Sequence, residues 1–259
     1  MTHAVRLASL DELDFSAVLS DLDGIVYRGD VAVPGAVDRF KLWHGRGIPY
    51  AFVTNNAEKP ADAVAAKIRS LGIACRDEQV VTSGDVALDF ITGKYALGSG
   101  VYVIGSPALK QRVEAAGFTL VEHGAAAVLV ALDRSFDYAM MKTALRNILG
   151  GADLIGTNPD LIRPVSDGFE PGAGAITASI AAASGVAPIF LGKPAPQIIQ
   201  TALARLGVDP SVAIMLGDQL DTDIQAGQLA GVRSVFVETG VPLNPKSQVR
   251  ADYILANLQ

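Results

Sequence analysis

Histidine, cysteine and tryptophan are scarce here, with three, one and one copies in 259 residues, and each shortage removes a class of chemistry. A single cysteine, Cys75, admits no internal disulfide and fits a reducing compartment. Lying in Gly72-Ile73-Ala74-Cys75-Arg76-Asp77 with no histidine nearby, it is also a poor nucleophile. His3, His44 and His123 are scattered without metal-ligand spacing. Basic residues are outnumbered, 21 Lys and Arg against 27 Asp and Glu, for a net charge of −6. That balance argues against a nucleic acid or an anionic membrane as partner. No apolar run reaches the ~18 residues that span a bilayer, and Met1–Ala8 lacks the apolar core of a signal peptide, so the expected location is cytoplasmic. Short repeats, low-complexity tracts and obvious linkers are missing too. What the chain does have is 50% apolar residues and the length for one large domain or two smaller ones.

The stretch Ala17-Val18-Leu19-Ser20-Asp21-Leu22-Asp23-Gly24 reads as a buried strand running into two aspartates and a glycine stop. A helical pattern follows over 36–45, then a strand, Ile48–Val53, ending on Thr54-Asn55-Asn56. Pro60 opens a helix that stops at Gly72, and Val80-Val81-Thr82 is a third strand. Such alternation predicts an α/β fold, a doubly wound (Rossmann-like) parallel sheet. From about Asp85 the alternation continues without chemistry-bearing strand ends for some hundred residues, enough for an inserted α/β domain. There Gly172-Ala173-Gly174 reads as a turn and helix start, not a dinucleotide-binding loop. The tail restores the first pattern: a strand over 188–191 ends at Gly192-Lys193-Pro194. Another, Ala213–Leu216, delivers Gly217-Asp218, with Asp221-Thr222-Asp223 at a helix start. Trp43, Phe40 and Tyr50 read as core.

Four strand ends therefore carry Asp21 with Asp23, Thr54 with Asn55, Lys193, and Asp218 with Asp223. Taken singly, each has an ordinary explanation: an Asx turn, a turn and helix start, a solvated lysine, a helix cap. Taken together, they suit one crevice, because a doubly wound sheet gathers such ends along one edge. A phosphate monoester is a dianion, and a carboxylate can attack it only once that charge is neutralised by a divalent ion and a lysine.

Asp21-Leu22-Asp23-Gly24, Thr54-Asn55, Gly192-Lys193-Pro194 and Gly217-Asp218 with Thr222-Asp223-Ile224 resemble the four motifs of the haloacid dehalogenase superfamily phosphatases. Thr157-Asn158-Pro159-Asp160 and Glu170-Pro171-Gly172 further resemble the branch with a C2-type cap that contains para-nitrophenyl, phosphoglycolate and pyridoxal phosphatases. The resemblance covers nearly the whole chain. It departs at Gln219, where many members have arginine, and this puts only local packing or substrate contacts in doubt. It implies a catalytic core of residues 1–84 and 186–259 and a cap of 85–185. It further implies a Mg²⁺-dependent phosphatase of small phosphate monoesters, with Asp21 as nucleophile and Asp23 as general acid and base. Asp21, Asp23 and Asp218 would hold the metal; Thr54, Asn55 and Lys193 would bind the phosphoryl group, and Asp223 would support Lys193 or the metal. Cap residues Asp160 and Arg163 are candidates for substrate selection, Arg163 as a clamp on a substrate anion or as a solvated loop residue. Caps of this branch often pair into homodimers. A receiver-like phospho-acceptor, phosphorylated on aspartate as a signal without turnover, uses nearly the same inventory. The acid/base that Asp23 would supply two residues past Asp21, and a chain length about twice that of one such module, weigh against it.

Overall fold

The computed structural model describes residues 4–165, 168–240 and 247–259. Two compact units emerge: Met1–Thr54, Ala61–Val81 and Lys193–Gln259 form the first, and Asn55–Pro60 with Thr82–Gly192 form the second. The sequence-based boundaries, after 84 and after 185, differ by assigning 55–60, 82–84 and 186–192 to the core. Those short segments bond to the inserted unit, as Asn55 does to Asn158.

In chain order the first unit runs β1 (Val5–Leu7), β2 (Ala17–Ser20), β3 (Tyr27–Arg28), β4 (Val31–Ala32), α1 (Ala36–Gly45), β5 (Tyr50–Thr54), α2 (Ala61–Ser70) and β6 (Val80–Thr82). The second supplies α3 (Ser83–Lys94), β7 (Gly100–Ile104), α4 (Pro107–Ala115), β8 (Thr119–Leu120), β9 (Ala127–Val130), α5 (Tyr138–Leu149) and β10 (Asp153–Gly156). It closes with β11 (Ile162–Val165), β12 (Gly168–Pro171), α6 (Ala173–Ser184) and β13 (Ile189–Phe190). The chain then returns for α7 (Gln197–Leu206), β14 (Ala213–Gly217), α8 (Gln225–Leu229), β15 (Arg233–Val237) and β16 (Tyr253–Leu255).

The first unit is built on a seven-stranded sheet in the order β1-β16-β15-β14-β2-β5-β6. The chain leaves the central β2 toward one edge through β5 and β6 and returns to the other through β14, β15 and β16, the doubly wound arrangement that the alternation predicts. Strands β2, β5 and β14 are predominantly apolar, as a parallel sheet buried on both faces requires, and every residue of the three is buried. Helix α1 turns Phe40 onto Tyr50 and Phe52 of β5 and stacks Trp43 edge-on against Phe40, a buried aromatic cluster with neighbouring ring centroids 4.9–5.7 Å apart. These aromatics are core, as expected.

The second unit has its own parallel sheet, β13-β10-β9-β7-β8. Apolar faces of α5 and α6 cover it, with Ile148, Ile176 and Ile180 against Val128, Val130 and Leu154. Helix α3, which hydropathy leaves unmarked, starts from a reciprocal cap: the Thr82 hydroxyl accepts from the Asp85 N–H and the Asp85 carboxylate accepts from the Thr82 N–H. Gly172 is the N-cap of α6, so Gly172-Ala173-Gly174 is a helix start. Among the described residues no helix is long and apolar enough to cross a membrane.

Candidate active site

Parallel register decides what the first unit can place side by side. Leu216 of β14, Ser20 of β2 and Phe52 of β5 are neighbours in register, so Gly217, Asp21 and Val53 lie one residue further at the same sheet edge. The Asp21 N–H donates to the Leu216 carbonyl at 2.9 Å, the last rung before the chains diverge. The side chains beyond this rung face the crevice at the carboxyl ends of the strands.

Lys193 reaches the same place from the start of the segment leading into α7. Its Nζ donates to Asp21 Oδ1, to Asp223 Oδ1 at 2.7 Å and to the Val53 carbonyl at 3.3 Å. Asp21, Lys193, Asp218 and Asp223 are 7%, 3%, 3% and 1% exposed, an unusual depth for four ionisable side chains. One carboxylate oxygen each of Asp21, Asp218 and Asp223 falls within 4.8 Å of the others. Burial raises the Asp21 carboxyl well above its ordinary range; Lys193 opposes this, and the Asp223 and Asp218 carboxylates add to it. For Lys193, burial alone would lower the ammonium, but the Asp21 and Asp223 carboxylates outweigh it and leave the group above its usual value.

Asp223 has a second task. Its Oδ2 accepts the N–H groups of Asp218 at 3.2 Å and Gln219 at 3.1 Å, which folds the 218–223 loop back over the end of β14. A wide π-type turn, Leu220–Ile224, makes the reversal possible. It also demands glycine at 217, where a Cβ would sit 2.1 Å from the Asp223 Cβ. Asp218 is hemmed in the same way. A Cβ on Gly24, whose φ is +87°, would lie 2.3 Å from Asp218 Oδ2, and one on Gly240 would lie 1.5 Å from it. Gly240 escapes sequence reasoning because no motif marks it. Gln219, the one departure from the family pattern, contributes its main-chain N–H, which any residue but proline would supply.

Asp23 is exposed, and the backbone around it is held by a tight turn in which the Val26 and Tyr27 N–H groups donate to the Leu22 carbonyl. The three carboxylates that meet are those of Asp21, Asp218 and Asp223. Thr54 ends β5, one residue past the carbonyl that accepts Lys193, and is buried. His44 and His123 take no part in the cluster, and His3 lies outside the described residues. Cys75 is buried, its thiol pushed up to about 12 by that burial, which leaves it inert as a nucleophile at neutral pH.

The second unit holds Asn55, Asp160 and Arg163. The Asn55 carbonyl accepts from Ser83 Oγ at 2.7 Å and from Asn158 Nδ2 at 2.8 Å, and its Nδ2 donates to Asp160 Oδ2 at 3.0 Å. Ser83 and Asn158 are both buried, so the main chain at Asn55 is clamped by two donors that no spacing rule would find. The Arg163 guanidinium lies against Glu58 Oε2 at 2.8 Å and Glu170 Oε1 at 3.3 Å.

Comparison with known proteins fits this geometry. Residues 18–119 match the family model described as haloacid dehalogenase-like hydrolase, and residues 190–259 match that described as HAD-hydrolase-like. An acid sugar phosphatase of Staphylococcus saprophyticus is 37% identical over 229 residues, 88% of each chain. Among solved structures, a double mutant of the thermostable NPPase from Geobacillus stearothermophilus superposes with a TM-score of 0.88 at 36% identity, covering 95% of this chain and 97% of the other. A glycerol phosphate phosphatase from Mycobacterium tuberculosis, solved in complex with magnesium, gives a TM-score of 0.86 at 34% identity, covering 95% of this chain and 75% of its own.

Proposed function

Because the chain belongs to the haloacid dehalogenase-like hydrolases and is a phosphatase, we propose that it hydrolyses a small phosphate monoester through an aspartyl phosphate on Asp21, with Mg²⁺ as its metal. The observation that carries this reading is the burial of Asp21, Asp218 and Asp223 around the single ammonium of Lys193. One ammonium leaves two of these three carboxylate charges uncompensated, a state that burial disfavours by several kcal/mol per ion. The missing charge is that of a divalent cation, and an all-oxygen donor set of carboxylates suits a hard ion such as Mg²⁺. Asp21 and Asp218 are its proposed side-chain ligands. Asp223, whose oxygens already serve Lys193 and two N–H groups, supports them, and Asp23 completes the site. When bound, the ion supplies neutralisation of the phosphoryl oxygens.

The chain's own groups then perform two displacements. A carboxylate oxygen of Asp21 attacks phosphorus, an O–P bond to Asp21 forms, and the ester P–O bond breaks. Asp23 is the proposed general acid, giving its proton to the departing alkoxide. It next takes a proton from water, whose oxygen attacks phosphorus, breaking the Asp21–phosphorus bond and releasing inorganic phosphate with Asp21 regenerated. Lys193 holds Asp21 in one orientation and offsets the charge gathered at phosphorus. Thr54 Oγ1 and the Asn55 N–H are the proposed phosphoryl donors.

Sugar and glycerol phosphates are the first substrates to test, since the relatives named for them share the fold at more than 30% identity. The segment around Asp160 in the inserted unit is proposed to select among them. The experiment is phosphate release from para-nitrophenyl phosphate and a panel of phosphorylated metabolites, with and without Mg²⁺. Many equivalents released per enzyme, dependent on the ion, support the reading; a single equivalent retained on the protein would identify a phospho-acceptor instead.

A further inference from the structure

Arg163 was a candidate for gripping the substrate, yet its guanidinium is engaged elsewhere. It belongs to a closed ring of alternating charge within the second unit. Glu58 accepts from Arg134 Nη1 through Oε1 and from Arg163 Nη1 through Oε2 at 2.8 Å. Glu170 Oε1 accepts from Arg134 Nη2 at 2.9 Å and lies 3.3 Å from Arg163 Nη1. Every member therefore has two partners of opposite sign, and the ring is neutral. Three segments meet in it: the 55–60 stretch, the turn after β9 that carries Arg134, and the β11–β12 hairpin, where Arg163 and Glu170 are directly cross-strand.

The ring also sets a register. Asn55 bonds to Asp160 and Glu58 to Arg163, both at a sequence offset of 105. Two ties at one offset hold residues 55–58 alongside 160–163, so the hairpin cannot slide along that segment without breaking both. Because Arg163 and Glu170 are spent on this face of the hairpin, its other face presents Ile162 and Phe169, which are 62% and 71% exposed.

The geometry points to Arg134, Glu58, Glu170 and Arg163 as positioning residues that fix the spacing between Asn55 and the hairpin, and with it the size of the organic group that the enzyme accepts. This deepens the phosphatase reading and rests on it. Arg163 is then a strut and not an anion clamp. An isolated exposed pair would be too weak for this, but a ring in which each guanidinium fork serves two carboxylates is held as a unit. Individual members should consequently act non-additively.

The test compares Arg134→Ala, Arg163→Ala, the double variant and Arg134→Lys with the wild-type enzyme. Steady-state kinetics are measured on glycerol 3-phosphate, glucose 6-phosphate and para-nitrophenyl phosphate. Inhibition by inorganic phosphate and amide hydrogen exchange at Ile162, Arg163, Phe169 and Glu170 complete the set. The expected result is a KM for the sugar phosphate altered about tenfold, in the same direction in both single variants and no further in the double. Inhibition by inorganic phosphate and kcat on para-nitrophenyl phosphate stay within about twofold, hairpin exchange quickens, and Arg134→Lys restores part of the KM. A KM change confined to Arg163→Ala would overturn the proposal in favour of a clamp, as would faster exchange with unchanged KM in favour of a purely structural ring. If the wild-type enzyme turned over no phosphate ester, the phosphatase reading would fail, and hydrogen exchange alone would decide whether the ring holds the hairpin.

Discussion

Lys193 illustrates how a residue becomes legible from its neighbours. It sits between Gly192 and Pro194 after an apolar strand, and that context, not its charge, marks it. Its ammonium joins two buried carboxylates, so Lys193→Met should remove about 3–5 kcal/mol of stability, the usual result of stripping one partner from a buried pair. Chemical denaturation measures this, and a loss under 1 kcal/mol would show that Asp21 and Asp223 do not depend on it. Asp21, Asp218 and Asp223 were readable in the same way, as acidic residues released at strand ends. Gly240 was not: it lies 22 residues after Asp218, and its importance exists only as a 1.5 Å clash between a hypothetical Cβ and Asp218 Oδ2. Gly240→Ala should weaken Mg²⁺ binding by about 10–100-fold, the range found when groups around a ligand are disturbed. Calorimetric titration with the metal is the check; unchanged affinity would remove Asp218 from the site.

At the scale of elements, strong hydrophobic period carried the reading, and polar or short elements defeated it. The helical pattern over 36–45 and the strand over 213–216 correspond to α1 and β14 because apolar residues recur at the spacing those elements need. Helix α3 was missed since its first turn, Ser83-Gly84-Asp85, is polar and buried by its capping box, not by an apolar stripe. The β11–β12 hairpin was missed because its strands pair through Arg163 and Glu170 with Pro164 in the run, which reads as loop. A titration follows for the end of α3. Hydrogen bonds from Lys94, at 2.8 Å, and from Tyr95 hold the Asp153 carboxyl below its ordinary value of 3.8. A carboxylate lowered by folding stabilises the protein above its unfolded pKa and ceases to do so as pH falls through the folded one. Asp153→Asn should therefore melt below the wild type at pH 7, with the gap closing on acidification toward and below 3.8. A gap constant with pH would place the effect in packing.

For the whole molecule, the alternation of strands and helices sufficed to predict a doubly wound sheet with an inserted α/β unit, and both sheets are parallel. The unit boundaries were less legible, since 55–60 follows a core strand in sequence yet bonds to the inserted unit. Metal binding should register on the entire fold. Burial and neighbouring carboxylates raise Asp21, so without a cation the folded protein retains a proton that the unfolded chain has lost, and stability falls as pH rises above the ordinary aspartate range. A cation that displaces this proton reverses the penalty, so the gain in Tm on adding Mg²⁺ should grow with pH, reaching about 2.7 kcal/mol of stabilisation at a hundred times Kd. A gain independent of pH would contradict a site built on Asp21.

The most direct measurement is acid-quenched mass spectrometry of the enzyme turning over para-nitrophenyl phosphate in Mg²⁺. One phosphoryl group on the peptide containing Asp21, absent from a folded Asp21→Asn variant that has lost turnover, is the predicted result. Undiminished turnover by Asp21→Asn, or a phosphoryl group on another residue, would contradict it.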